Sequence, residues 1–80
     1  MRRYFFHIRD FVEADDPEGI ELADDVEARE YAREAARDLV CASIKERGAF
    51  NLDHRIDVAD EPGTILFAVT FREAFTITSQ

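Results

Sequence analysis

The sequence predicts an α+β domain: a small antiparallel β-sheet in the order β-β-α-β-β, with one long helix packed on one face. Three observations carry this prediction. Apolar residues alternate with others in two separated stretches, RYFFHIR near the start and TILFAVTF near the end. Between them, residues 26–47 contain neither Gly nor Pro and repeat apolar residues at three- and four-residue steps. Strands grouped on either side of a single helix belong to the α+β class.

Each element follows from local chemistry. In residues 3–9, Tyr4, Phe6 and Ile8 share one face and Arg3, Phe5, His7 and Arg9 the other, so the more apolar face is expected inward. The next stretch, FVEADDPEG, mixes acids with a Pro and a Gly and reads as a loop or wide turn. GIEL, residues 19–22, is a short β-like segment with Ile20 and Leu22 on one side, placed to return beside the first strand as a hairpin. Asp24 or Asp25 is then the expected N-cap, and Asp24 with Glu27 has the form of a capping box.

The expected apolar stripe of the helix is Ala28, Ala32, Ala35, Ala36, Leu39, Ser43 and Ile44, whose small members let it sit close to a sheet. Two ridges, Arg29/Arg33/Arg37 and Glu30/Glu34/Asp38, are expected on the solvated side. They offer Glu30–Arg33 and Glu34–Arg37 as i,i+3 pairs, each worth about 0.2–0.5 kcal/mol. Lys45 and Arg47 complement the negative end of the helix dipole, and Gly48 is a natural residue to end the helix.

After AFNLD, residues 54–59 alternate again, with Ile56 and Val58 on one side and Arg55 and Asp57 on the other. DEPGT sets Pro62 and Gly63 at the centre of a type II turn. TILFAVTF then places Ile65, Phe67, Val69 and Phe71 on one face. The tail still carries Phe75 and Ile77 and is expected to pack back on the domain. There is no internal repeat and no low-complexity segment.

Eighty residues allow one domain over 1–80 with one small core. Seven Phe and two Tyr compensate for the short length, because each buries a large area. The net charge of −8 disfavours nucleic acid and anionic membrane surfaces, which are bound through clustered Lys and Arg. It is compatible with a basic protein partner, although charge also serves solubility alone. The single cysteine, Cys41, excludes an intramolecular disulfide and a cysteine-based zinc cluster. With no apolar leader-like stretch and no run of bilayer length, the expected location is the cytoplasm.

No catalytic constellation stands out, and no cofactor is expected. His7 lies between Phe5 and Arg9 on the outer face of its strand without a nucleophile motif, so a strand role is expected rather than general-base chemistry. His54 shares the parity of Ile56 and Val58 and is expected to close one end of the core. The acids between Asp10 and Asp25 invite a calcium loop. Aligning Gly19 with its sixth position puts Ala14 where the first carboxylate belongs and Glu21 at the apolar eighth, so no metal site is expected. Cys41 falls opposite the apolar stripe and is expected to be an exposed thiol, with Arg37 and Lys45 one turn away. The outer sheet face is the candidate interaction surface, through Phe5 and His7 on the first strand and Leu66 and Ala68 on the last.

Three stretches together, RYFFHIRD, then EGIELAD and VADEPGTILFAVTFREA, resemble a family of short bacterial proteins common in soil and plant-associated species and classed only as a domain of unknown function. The resemblance runs over nearly the whole chain and implies no activity and no catalytic residues. A weaker likeness links Gly19 to Asp24, followed by Glu27, Ala28 and residues 34–36, to HicB-type antitoxins. Those place a third strand before the helix and usually add a DNA-binding segment, for which this chain has no room.

The expected function is a non-enzymatic interaction or regulatory module acting through its sheet face, an edge strand or its acidic loop, with a protein partner or a second copy of itself. The alternative, implied by the antitoxin likeness, is an inhibitor that masks a basic toxin or nuclease. A ligand binder or enzyme is disfavoured, because so small a helix-on-sheet core rarely leaves a pocket with convergent polar groups.

Overall fold

The computed structural model describes residues 1–79. The chain forms β1 (Arg2–Arg9), β2 (Glu13–Ala14), β3 (Ile20–Leu22), α1 (Asp25–Arg47), β4 (Arg55–Ala59) and β5 (Ile65–Thr70), followed by a 3-10 turn (Phe71–Ala74). All strand pairings are antiparallel, and α1 covers one face of the sheet, as the alternation and the Gly-free helical stretch predict. β1 is central. It pairs with β4 on one side, and on the other with β3 at its start and β2 at its end, while β5 lies beyond β4 as the far edge.

The core follows from the parity of the strands. Tyr4 and Phe6 of β1, Ile56 and Val58 of β4, Val69 of β5 and Phe71 of the 3-10 turn are buried beneath Ala28, Ala32, Ala36 and Val40 of α1. The Tyr4 ring is fully buried and its hydroxyl donates to Asp25 Oδ1 at 2.6 Å, which satisfies the one polar atom that β1 sends under the helix N-terminus. That hydrogen bond, and then burial, hold the Tyr4 phenol above its ordinary pKa. Asp24 caps α1 by accepting from the Glu27 N–H at 2.9 Å. Gly48 ends it at a φ of 72°, donating to the Ile44 carbonyl.

Several expectations are corrected. The acidic stretch after β1 contains a short strand, because Glu13 and Ala14 pair with Arg9 and Ile8. On α1 the inward stripe runs through Val40 and Ser43, whereas Ile44 is turned outward. The arginine ridge is not simply solvated: Arg29 sits 4.4 Å from the Phe67 ring centroid and Arg37 donates through Nε to the Ala74 carbonyl instead of pairing with Glu34. The Glu30–Arg33 pair forms, at 3.1 Å. Phe75 packs back edge to face on Phe50, but Ile77 stays exposed.

The largest correction lies in β5. Val58 pairs with Phe67 while its neighbour Ala59 pairs with Ile65, so Leu66 is the extra residue of a β-bulge. A bulge reverses the inside–outside parity beyond it. Ile65 therefore shares a row with Ala59 and Phe5 on the outer face, and Leu66 turns to pack against the helix-side core.

Candidate interaction surfaces

On the outer sheet face, the strand register builds three rows. The ladder sets them as Phe5–Ala59–Ile65, His7–Asp57–Ala68 and Arg9–Arg55–Thr70.

 The Phe5–Ala59–Ile65 row is apolar, and the other two rows carry the charges. Asp57 is 8 % exposed, and its carboxylate is shared by Arg55 Nε at 2.8 Å and Arg9 Nε at 3.7 Å. Arg9 in turn reaches Asp15 Oδ1 with Nη2 at 2.8 Å. That contact raises the Arg9 pKa, and through the same hydrogen bond it holds the Asp15 carboxyl below the ordinary carboxylate range. This half of the face is a closed ionic network rather than a free surface.

The four residues expected to form one interaction surface are therefore divided. Phe5 and His7 share the outer face, but both are held by the loop after β2. A Cβ built on Gly19 would lie 2.9 Å from Phe5 Cε2, so the ring rests against that glycine. His7 Nδ1 accepts from the Asp16 N–H at 3.1 Å, which makes Nε2 the protonated nitrogen of the neutral ring, and Asp15 Oδ1 lies 3.7 Å away. Ala68 joins them in the His7 row, whereas Leu66 does not, because the bulge sends it to the helix side.

Asp16 finishes the job of a strand where no strand is present. Between β3 and β2 the outer edge of β1 is uncovered at Phe6, and there Asp16 Oδ2 accepts the Phe6 N–H at 3.2 Å. Its other oxygen accepts from the N–H groups of Glu18 and Gly19 at 3.1 and 3.0 Å. Burial pushes the Asp16 carboxyl up, but these three backbone donors together bring it below the ordinary carboxylate range.

The opposite edge is open. The Phe71 N–H donates to the His54 carbonyl at 2.8 Å, so alternate residues of β5 turn their backbone groups toward β4 and the intervening ones outward. The outward N–H of Thr70 is taken by Glu73 Oε2 at 3.0 Å. The outward groups of Ala68 face no further strand among the described residues. β5 reads ILFAVT and carries no charge, and Ile65 is 50 % exposed. Beside it, between strand and helix, lies an open cleft of about 350 Å³ lined by Val26, Leu66 and Phe67 and by the charged Asp25, Arg29, Glu30 and Arg33. Strict alternation places Ile65 on the same face as Phe67, Val69 and Phe71, and no sequence signal marks the bulge that exposes it.

The remaining candidates have structural surroundings. His54 closes one end of the core between Phe11 and Phe71, with ring centroids at 4.7 and 5.9 Å, and the Arg47 guanidinium lies over the Phe11 ring at 4.6 Å. Phe11 lies within the stretch expected to be a loop, so only the fold reveals that it belongs to this cluster. Cys41 is exposed. Among the described residues no group of three or more His, Cys, Asp or Glu is arranged to hold a metal ion, and no helix is long and apolar enough to cross a membrane.

No curated protein and no solved structure matches the chain. Residues 3–72, which hold all but the first residue of the strands and the whole of the capped helix and the β4–β5 turn, match a family model described as a domain of unknown function (DUF6894), and the chain belongs to that family.

Proposed function

We propose that the protein is a non-enzymatic interaction module that takes an extended segment of a partner protein along β5. One observation carries this reading: β5 is an edge strand without charge, proline or covering segment, and edge strands left in that state are templates for another chain. Added strands gain affinity from main-chain hydrogen bonds and specificity from pockets for alternate side chains. Here Ala68 supplies the outward backbone groups, and the cleft supplies apolar surface at Val26, Leu66 and Phe67 with charges of both signs, Asp25, Arg29, Glu30 and Arg33, around it. The outer sheet face supports this less well, because the loop and the Asp57 network already occupy much of it.

The test is selection of peptides from a random displayed library, followed by amide NMR on the full chain. Selected peptides are expected to be extended and apolar, to shift the Leu66 and Ala68 amides, to slow exchange at Ala68, and to lose binding to Ile65→Lys. Peptides that leave those amides unmoved, or that bind Ile65→Lys equally well, overturn the reading. A crosslinkable residue at position 65 then identifies the cellular partner. If that partner is a small basic nuclease, the module acts as an antitoxin-like inhibitor.

A further inference from the structure

The closure of the β1 edge includes a hydrogen bond that a single proton can remove. His7 Nδ1 accepts the Asp16 N–H at 3.1 Å, and it can do so only while its lone pair is free. A protonated imidazole is a donor at both nitrogens, so its Nδ1–H would meet the Asp16 N–H donor against donor. Asp16 is also the residue whose Oδ2 accepts the Phe6 N–H at 3.2 Å. One residue therefore couples the ring to the edge, through its backbone on one side and its carboxylate on the other.

Every element packed around the ring contributes to its electrostatic setting. From β4, Asp57 lies directly across the ladder and is shared by Arg55 and by Arg9, two residues along β1 from His7. From the loop come Asp16 and Asp15, whose Oδ1 lies 3.7 Å from His7 Nδ1. β2 adds Glu13, turned to Arg9 at 3.7 Å, while β5 brings only the uncharged Ala68 into the His7 row. The hydrogen bond with Arg9 holds the Asp15 carboxyl low; burial raises that of Asp16, but its backbone donors bring it below the ordinary carboxylate range. Both therefore stay ionised between about pH 5 and 8, where histidines take up protons. The His7 side chain is 18 % exposed, so water reaches it. A positive ring fits these charges, and Asp15 Oδ1 offers an acceptor for its Nδ1–H. What it does not fit is the Asp16 N–H.

We propose that His7 is a proton-operated latch on the β1 edge. With the ring neutral, Nδ1 holds the Asp16 backbone and the Asp16 carboxylate covers Phe6. On protonation Nδ1 releases the Asp16 N–H and turns to Asp15 Oδ1, Asp16 Oδ2 leaves the Phe6 N–H, and the edge opens between β3 and β2. The proton comes from water and is held at Nδ1; no other covalent bond changes. None of the β5 residues assigned to strand docking takes part, so either reading can fail alone.

The test is NMR on the full chain, titrated from about pH 8 to about pH 5. The His7 ring resonances are expected to titrate, and the Phe6, Asp16 and Gly19 amides to shift with the same midpoint. Protection of the Phe6 amide, corrected for the intrinsic pH dependence of exchange, is expected to fall about tenfold, as for the loss of one hydrogen bond. The Val69 amide in the β4–β5 ladder is expected to keep its protection. His7→Asn supplies an acceptor that does not titrate, and should hold the Phe6 amide steady over the same range. A His7 ring that titrates without moving the three amides overturns the proposal. So does a ring that takes up no proton in this range, or a His7→Asn chain whose Phe6 amide opens at the wild-type midpoint.

Discussion

Along β1 the outer edge of the sheet is closed piece by piece, whereas along β5 it is left bare. On the β1 side, β3 pairs with the first residues and β2 with the last, and the Asp16 side chain accepts the Phe6 N–H between them. On the β5 side only Thr70 is answered, by Glu73, and the uncharged run from Ile65 onward meets no further strand among the described residues. The difference shows where the acidity of the chain is spent. Asp15, Asp16, Asp24 and Asp25 each accept a specific hydrogen bond from the fold, so the acidic stretch is first a device for closing an edge and starting a helix. Charges occupied in this way are poorly placed to recognise a partner, and the open edge is the better candidate.

This contrast can be broken from the closed side first. Gly19 holds a φ of +73°, and a Cβ there would lie 2.8 Å from the Tyr4 carbonyl oxygen. Gly19→Ala is therefore expected to cost about 2–4 kcal/mol in a urea denaturation, from left-handed strain plus overpacking against backbone. Asp16→Ala leaves the Phe6 N–H without its acceptor and is expected to cost about 1–3 kcal/mol. Faster amide exchange at Phe6, Glu18 and Gly19 is its signature, with Ala68 unchanged.

The same carboxylate predicts the acid response. Because the Asp16 and Asp15 pKa values are lowered in the folded chain, their contribution is fully present above the ordinary carboxylate range and is lost as pH falls through the lowered folded values. Stability measured against pH should decline in that acid window, and Asp16→Asn should flatten the decline. A slope identical to that of the wild type would mean that other carboxylates control acid unfolding.

His7→Ala removes the acceptor of the Asp16 N–H, a bond worth about 0.5–1.5 kcal/mol, together with the ring beside Asp15, and should loosen the loop without unfolding the sheet. On the open side, Ile65→Lys changes an exposed residue and should alter stability by no more than about 0.5 kcal/mol while abolishing peptide binding. Sensitivity in stability on one edge, and in binding on the other, is what the comparison demands.

Much of the fold was legible because its signals are local. Alternation over residues 3–9, the Gly-free run of α1, the Asp24 cap and the Gly48 terminus each depend on neighbours within a turn or two, and each stands where expected. The candidate surface was only half legible. Strict alternation predicts Leu66 outside, and the bulge at Val58/Ala59 reverses this, exchanging its place with that of Ile65. Helical angle alone predicts a face for Arg37 and Ile44, but their surroundings depend on where Ala74, Phe50 and Phe75 return after the sheet is complete.

By itself the sequence determined the class of the fold, the order of its main elements, the inward face of β1 and β4, and the two ends of the helix, because periodicity and capping act within a few residues. Only the tertiary structure decided that Asp16 serves as a substitute strand for Phe6, that Ile65 faces outward, and that β5 is the edge left open. Those outcomes depend on contacts between segments far apart in the chain and on one residue of register, which local patterning does not encode.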